Sequence, residues 1–182
     1  MKSLKKCSKC ALVFVLLCLA MATRLEADEV NRFDVQIAGG MVNLDHGRSG
    51  LATRLSLSGL KTRFSKVSLE YERIDFSGVR LDRRLKLSSE FKVFQTRVFQ
   101  TRKISLSFVS SVFGSHVQSK LKHDPRGFGI GASVGTKLNV QLFSHVEAFM
   151  ESSLGVVKHF DSPSSNNGEH FSQVMYGVSI GF

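Results

Sequence analysis

The 182-residue chain has no tryptophan, two tyrosines, two prolines and three cysteines. The cysteines, Cys7, Cys10 and Cys18, all lie within the first eighteen residues. The remainder therefore has no thiol for a disulfide framework, a thiolate metal site or a cysteine nucleophile. The spacing Cys7-x-x-Cys10 is that of a redox or zinc pair, but it falls in a basic, leader-like segment with no fold to hold it. Pro125 and Pro163 are the only prolines, which leaves long stretches free to donate to a β-ladder. No run interleaves basic with stacking residues, so nucleic acid is not an expected partner.

What is present begins with a leader. Lys2, Lys5, Lys6 and Lys9 make a basic start, and the twelve residues Ala11 to Ala22 are uncharged and almost wholly apolar. A bilayer-crossing helix needs about 20 such residues, whereas a secretory signal peptide has this layout. Ala20-Met21-Ala22 and Leu25-Glu26-Ala27 both fit a small-residue cleavage site. We expect residues 1–27 to be a signal peptide cleaved after Ala22 or Ala27, and residues 28–182 to form the mature domain. Removing residues 1–27 deletes five cations and one anion, so the formal charge falls from +10 to +6. For an exported protein, that charge suits anionic lipid headgroups or lipopolysaccharide phosphates.

From about residue 33 onward, apolar and polar residues alternate with period two, which is the mark of half-buried β-strands. Val174, Tyr176, Val178, Ile180 and Phe182 occupy every second position at the end of the chain. Phe128, Ile130, Ala132, Val134, Thr136, Leu138, Val140 and Leu142 do the same earlier. The pattern predicts an all-β domain of about eight strands, near 33–44, 50–59, 65–77, 82–95, 98–114, 126–143, 145–158 and 170–182. Both prolines, and the stretch Asp161–Gly168, fall between strands.

A soluble sandwich also alternates, so the position of the charges decides. Arg or Lys on the lipid face of a membrane barrel costs about 2–4 kcal/mol at the midplane, and the apolar phase here is nearly free of charge. The opposite phase carries Arg54, Glu70, Glu72, Arg84, Lys86, Glu90, Lys92, Lys103, Lys137, Glu147 and Glu151, six cations and five anions. Near-neutrality is what a narrow lumen requires, because a buried unpaired charge is heavily penalised. This predicts a closed, antiparallel, up-and-down transmembrane β-barrel with those eleven residues as a lumen charge network. Arg73 breaks phase before Ile74 and Phe76, which predicts a bulge or the membrane rim there. A tandem Val93–Arg97 and Val98–Arg102 (VFQTR twice) is expected to lie across a turn near 95–98.

The C-terminal strand ending in Phe182, with Tyr176 on the same face, and the glycines Gly127, Gly129, Gly131 and Gly135 resemble the small eight-stranded outer-membrane barrels of the OmpA- and OmpX-type superfamily. The resemblance covers the mature chain as a strand pattern, with motif-like residues only in its last third. It implies an outer-membrane location and a barrel-assembly signal at Tyr176 and Phe182, read by the assembly machinery. The chain departs from such barrels in lacking Trp/Tyr girdles; its fifteen phenylalanines are the available substitutes.

Three chemistries are weighed against that background. His170-Phe171-Ser172 is similar to the start of the lipid A deacylase motif, but Gln173 replaces its Asn. With Ser172 expected opposite about Val156, Glu151 lies about 17 Å away, too far for a triad. His46, His116, His123, His159 and His170 fall in expected outer loops and His145 in an inner turn, which raises a surface metal site as one reading and ordinary polar loops as the other. Arg48, Arg80, Arg83, Lys120, Lys122, Arg126 and Lys158 collect near the expected outer rim, where anionic surface polymers would meet them. No cofactor is called for. The expected role is non-enzymatic: structural or surface interaction, with an extracellular or host ligand conceivable. A narrow porin-like path is the alternative.

Overall fold

A computed structural model describes residues 33–45, 47–61, 65–98, 102–121, 124–160 and 168–182. The signal-peptide region, His46, His123, Lys122 and Pro163 lie outside the described residues. Eight strands follow one another: β1 (Asp34–Leu44), β2 (Ser49–Lys61), β3 (Ser65–Phe76), β4 (Arg80–Val98), β5 (Arg102–Ser119), β6 (Gly127–Phe143), β7 (Val146–His159) and β8 (Glu169–Gly181). Each pairs antiparallel with its sequence neighbours, and β1 pairs with β8, closing the barrel.

The register fixes the barrel's shape. Following paired residues once round from Asp34, through Ser58, Ser68, Ser88, Ser111, Ser133, Gly155 and Phe171, returns to β1 at Leu44, ten residues further on. A stagger of that size over eight strands corresponds to a tilt of about 40° from the axis. The eleven residues of β1 then rise about 28 Å along it, close to the height of the apolar band of outer-membrane barrels.

The wall is inverted relative to a soluble protein. Alternate residues point outward, and the outward set is apolar: Ile37, Leu55, Leu57, Leu69, Leu85, Leu87, Val112, Ile130, Val134, Leu154 and Val178 are all exposed. The inward set includes Arg54, Glu72, Arg84 and Lys86, each at most 3% exposed. Water would solvate neither choice well, whereas hydrocarbon outside and paired charge inside satisfy both. The interior is not polar throughout. Phe113, Phe149, Phe171, Met175 and Ile74 are buried among the charges, and the Arg84 guanidinium lies 4.2 Å from the Phe171 ring centroid and 5.0 Å from that of Phe113.

Three expectations are corrected here. Of the two readings of Arg73, a bulge or the membrane rim, the bulge is excluded: the β3–β4 register runs unbroken past it, and the shift on β3 lies at Ser58/Leu60 of the β2 partner. Arg73 keeps phase on the outer face, while Ile74 and Phe76 turn inward. The second outer loop is tight, spanning 77–79 rather than 77–82. Ser77 and Gly78 have φ of 53° and 71°, and the Val79 N–H donates to the Phe76 carbonyl at 3.1 Å. Paired positive φ of this kind matches the twist of the flanking strands. The duplicated segment does not turn at 95–98 either. β4 continues to Val98, and the first copy lies wholly within the strand.

Candidate functional site

Among the described residues, chemistry-bearing side chains converge in the lumen, which is filled in tiers. The start of β1 and the end of β8 mark one end of the barrel, called inner here, shared with the connections between β2 and β3, β4 and β5, and β6 and β7. Nearest that end, Lys66 Nζ lies 2.8 Å from an Asp34 carboxylate oxygen. Lys137 Nζ donates to Glu90 at 3.1 Å and across the barrel to Gln36 at 3.0 Å. At mid-height Arg54 of β2 makes a bidentate bridge to Glu151 of β7 (2.8 and 2.6 Å) and a longer one to Glu70 (3.4 Å). Above it Glu72 accepts from Gln173 and lies 2.9 Å from Lys86. Lys86 also reaches Gln173 of β8 at 3.3 Å, and Arg84 binds Asp82 at 3.0–3.1 Å.

The outermost tier is Arg80 of β4, which holds Glu169 of β8 through two bonds at 2.7 and 2.6 Å. The His159 ring lies 3.6 Å from the same carboxylate. These bridges join strands on opposite sides of the barrel: β1 to β6, β2 to β7, β3 to β8 and β4 to β8. They tie the wall to itself across its width.

Eight of the eleven residues expected in the lumen are thus brought together there: Arg54, Glu70, Glu72, Arg84, Lys86, Glu90, Lys137 and Glu151. Lys92 and Glu147, half-buried near the inner end, make no ion pair among the described residues. Lys103 is exposed and does not join the network. Among the described residues, β4 beyond Lys92 and β5 before Ile104 pair only with each other, so Lys103 stands on a ribbon beyond the closed wall.

Reading the sequence missed Arg80, Asp82 and Glu169. Arg80 was expected on the outer rim and is instead 2% exposed inside. The cause is the tight Ser77-Gly78 turn. Once the loop ends at Val79, residue 80 shares the inward phase of Asp82, Arg84 and Lys86. The dipeptide Ser-Gly before an alternating run was the available signal.

The other candidates separate. His170 and Ser172 lie on the outward phase of β8, whereas Glu151 is buried inside and bound to Arg54. Ser172 pairs with Leu154, not Val156. Glu169, next to His170, points inward to Arg80. Nucleophile, base and acid therefore stand on opposite faces of the wall, and no triad forms. His116 packs outward on Phe128 with ring centroids 4.8 Å apart, His159 is buried, and His145 and His170 are exposed at opposite ends. Among the described residues no three His, Cys, Asp or Glu are placed to hold a metal.

On the rim, Arg48 binds Asp124 at 2.5 Å, linking the β1–β2 and β5–β6 loops. Ser119 Oγ donates to the same carboxylate at 2.9 Å. Partial burial pushes the Asp124 carboxyl up, but the bonds from Arg48 and Ser119 outweigh it and hold the group below the usual range. Arg126 donates to the Leu121 carbonyl at 3.3 Å. Arg83, Lys120 and Lys158 are exposed. Tyr176 and Phe182 both face outward and are exposed.

No protein-family model matches the sequence, and no curated protein matches it. Solved structures do share the fold. Neisserial surface protein A superposes with a TM-score of 0.57 at 12% identity, covering 83% of this chain and 96% of its own. The N-terminal β-barrel domain of Pseudomonas aeruginosa OprF gives 0.58 at 13% identity, covering 84% and 98%. The chain has the fold of the small eight-stranded outer-membrane barrels.

Proposed function

We propose that the mature protein is a non-enzymatic barrel of the bacterial outer membrane, exported by residues 1–27, whose role is structural and interactive at the cell surface. The observation that carries this reading is the lumen crossed at every tier by ion pairs and hydrogen bonds between opposite strands. A barrel closed in that way offers its ends and its outer wall to partners, not its axis. The loops at the end away from the termini then face the exterior, where the basic rim would contact anionic lipid or an extracellular ligand. Tyr176 and Phe182, outward on the final strand, are the residues we assign to recognition by the barrel-assembly machinery.

Planar-bilayer recording tests the closed lumen directly: no discrete conductance steps are expected, and regular steps from the wild-type protein would replace this reading with narrow transport. Orientation is tested by single cysteines, since the native ones all precede the barrel. In intact cells a membrane-impermeant maleimide should label K120C but not S144C. The reverse pattern would overturn the assignment of the outer end.

A further inference from the structure

On the closed wall the outward face carries little charge: the single residues Asp75 and Lys158, and one cross-strand pair of like charges. Arg73 of β3 and Arg83 of β4 are direct cross-strand partners, and both are exposed on the outer wall. Arg83 is in turn opposite His116, and His116 is opposite Phe128. Two guanidinium groups in this relation stand about 5 Å apart at their Cβ atoms, a like-charge juxtaposition that destabilises a sheet. Neither makes an ion pair among the described residues. The one carboxylate on the same outer face beside them, Asp75, accepts the Gly78 N–H at 2.8 Å. Two positions toward the inner end, the same two strands present Tyr71 and Leu85, then Leu69 and Leu87, all exposed and apolar. The arginine pair therefore sits where the apolar wall gives way to the outer rim, about 7 Å above its first apolar row.

We infer that Arg73 and Arg83, flanked by His116, form a binding site for the phosphate headgroup of an outer-leaflet lipid, with Tyr71, Leu85 and Leu87 against its acyl chains. This deepens the outer-membrane reading and rests on it. The chemistry is specific to that location. A phosphate between two guanidinium forks accepts paired N–H bonds and cancels their repulsion, while the apolar surface immediately below takes the chains of the same molecule. A free anion would use only the first half of this arrangement, so the lipid is the occupant we assign.

The test uses the protein in nanodiscs of phosphatidylcholine doped with lipid A, with retained lipid counted by native mass spectrometry after release. Wild type is expected to retain lipid A, and R73Q/R83Q to retain it about thirtyfold more weakly, from the usual contribution of a basic residue at a membrane surface. R97Q, which removes an exposed arginine at the inner end, should match wild type. If the double variant does not fold, R83Q alone decides, with an expected loss of about fivefold. Equal retention by wild type and R73Q/R83Q overturns the inference, as does an equal loss in R97Q, which would mean a general charge effect. Displacement of lipid A by excess inorganic phosphate would instead identify a free-anion site and overturn the lipid assignment. Heat-modifiability of the wild type is measured on the same sample. Its absence refutes the outer-membrane barrel itself, whereas its presence with equal retention refutes only this site.

Discussion

Arg54 shows how a single residue holds the interior together. Its guanidinium is buried and shared between Glu151 and Glu70. Truncating it leaves two carboxylates in a low-dielectric lumen with no counter-charge, the case in which a buried pair is costly to break. R54A should destabilise the folded barrel by about 3–5 kcal/mol, read as a lowered urea midpoint in lipid vesicles. R54A/E151Q should recover part of that loss. At the rim, Asp124 gives a pH dependence with a definite sign. Its folded-state carboxyl lies below the usual range, so the stability it confers is complete above the unfolded-state value of about 4 and is lost as pH falls through the folded one. Amide protection factors at Lys120, Leu121 and Asp124, corrected for the intrinsic pH dependence of exchange, should be equal at neutral and mildly acidic pH and fall only in strong acid. D124N should exchange fast throughout. The charged lumen residues were legible in the sequence because period two sorts a strand into faces. Arg80 was not, because its face depends on where a turn ends.

At the scale of the element, β6 explains a pattern that the sequence displayed without a reason. Its glycines alternate along the inward phase, and Gly131 pairs directly with Phe113 of β5. A methyl group at Gly131 would land on the Phe113 ring and within 2.5 Å of the Val156 carbonyl oxygen. The small residues leave room for an inward phenylalanine that in turn contacts Arg84. G131A should therefore displace Phe113 and cost about 1–3 kcal/mol, seen as a lower urea midpoint. The smaller F113L side chain introduced alongside it should relieve the part of the clash made with the ring and leave that with the Val156 carbonyl. The inward aromatics were hidden in the sequence because Phe113 lies out of phase with Phe108 on the same strand, and hydrophobicity alone does not say which phase faces lipid. The duplicated VFQTR segment is explained in length only. It extends β4 and β5, the longest strands, beyond their other neighbours.

For the whole molecule, closure and inversion are a single property. A barrel of eight strands has room inside for side chains and little else, so the outer wall must meet the solvent that the interior does not. An apolar wall enclosing crossed ion pairs is stable in a bilayer and a poor solution for water. The architecture was legible from the nearly charge-free phase of the seven clearer strands. Strand ends and the second outer loop were not, because they depend on turn geometry and on register with neighbours rather than on alternation. The most direct test of this account is the electrophoretic mobility of the protein from an outer-membrane fraction, unboiled against boiled, in denaturing detergent. A compact, faster or otherwise shifted unboiled band that converts on boiling is the predicted result, because the closed ladder and the crossed lumen resist detergent until heated. A single unchanged band, with the protein recovered from the soluble periplasm, would contradict it.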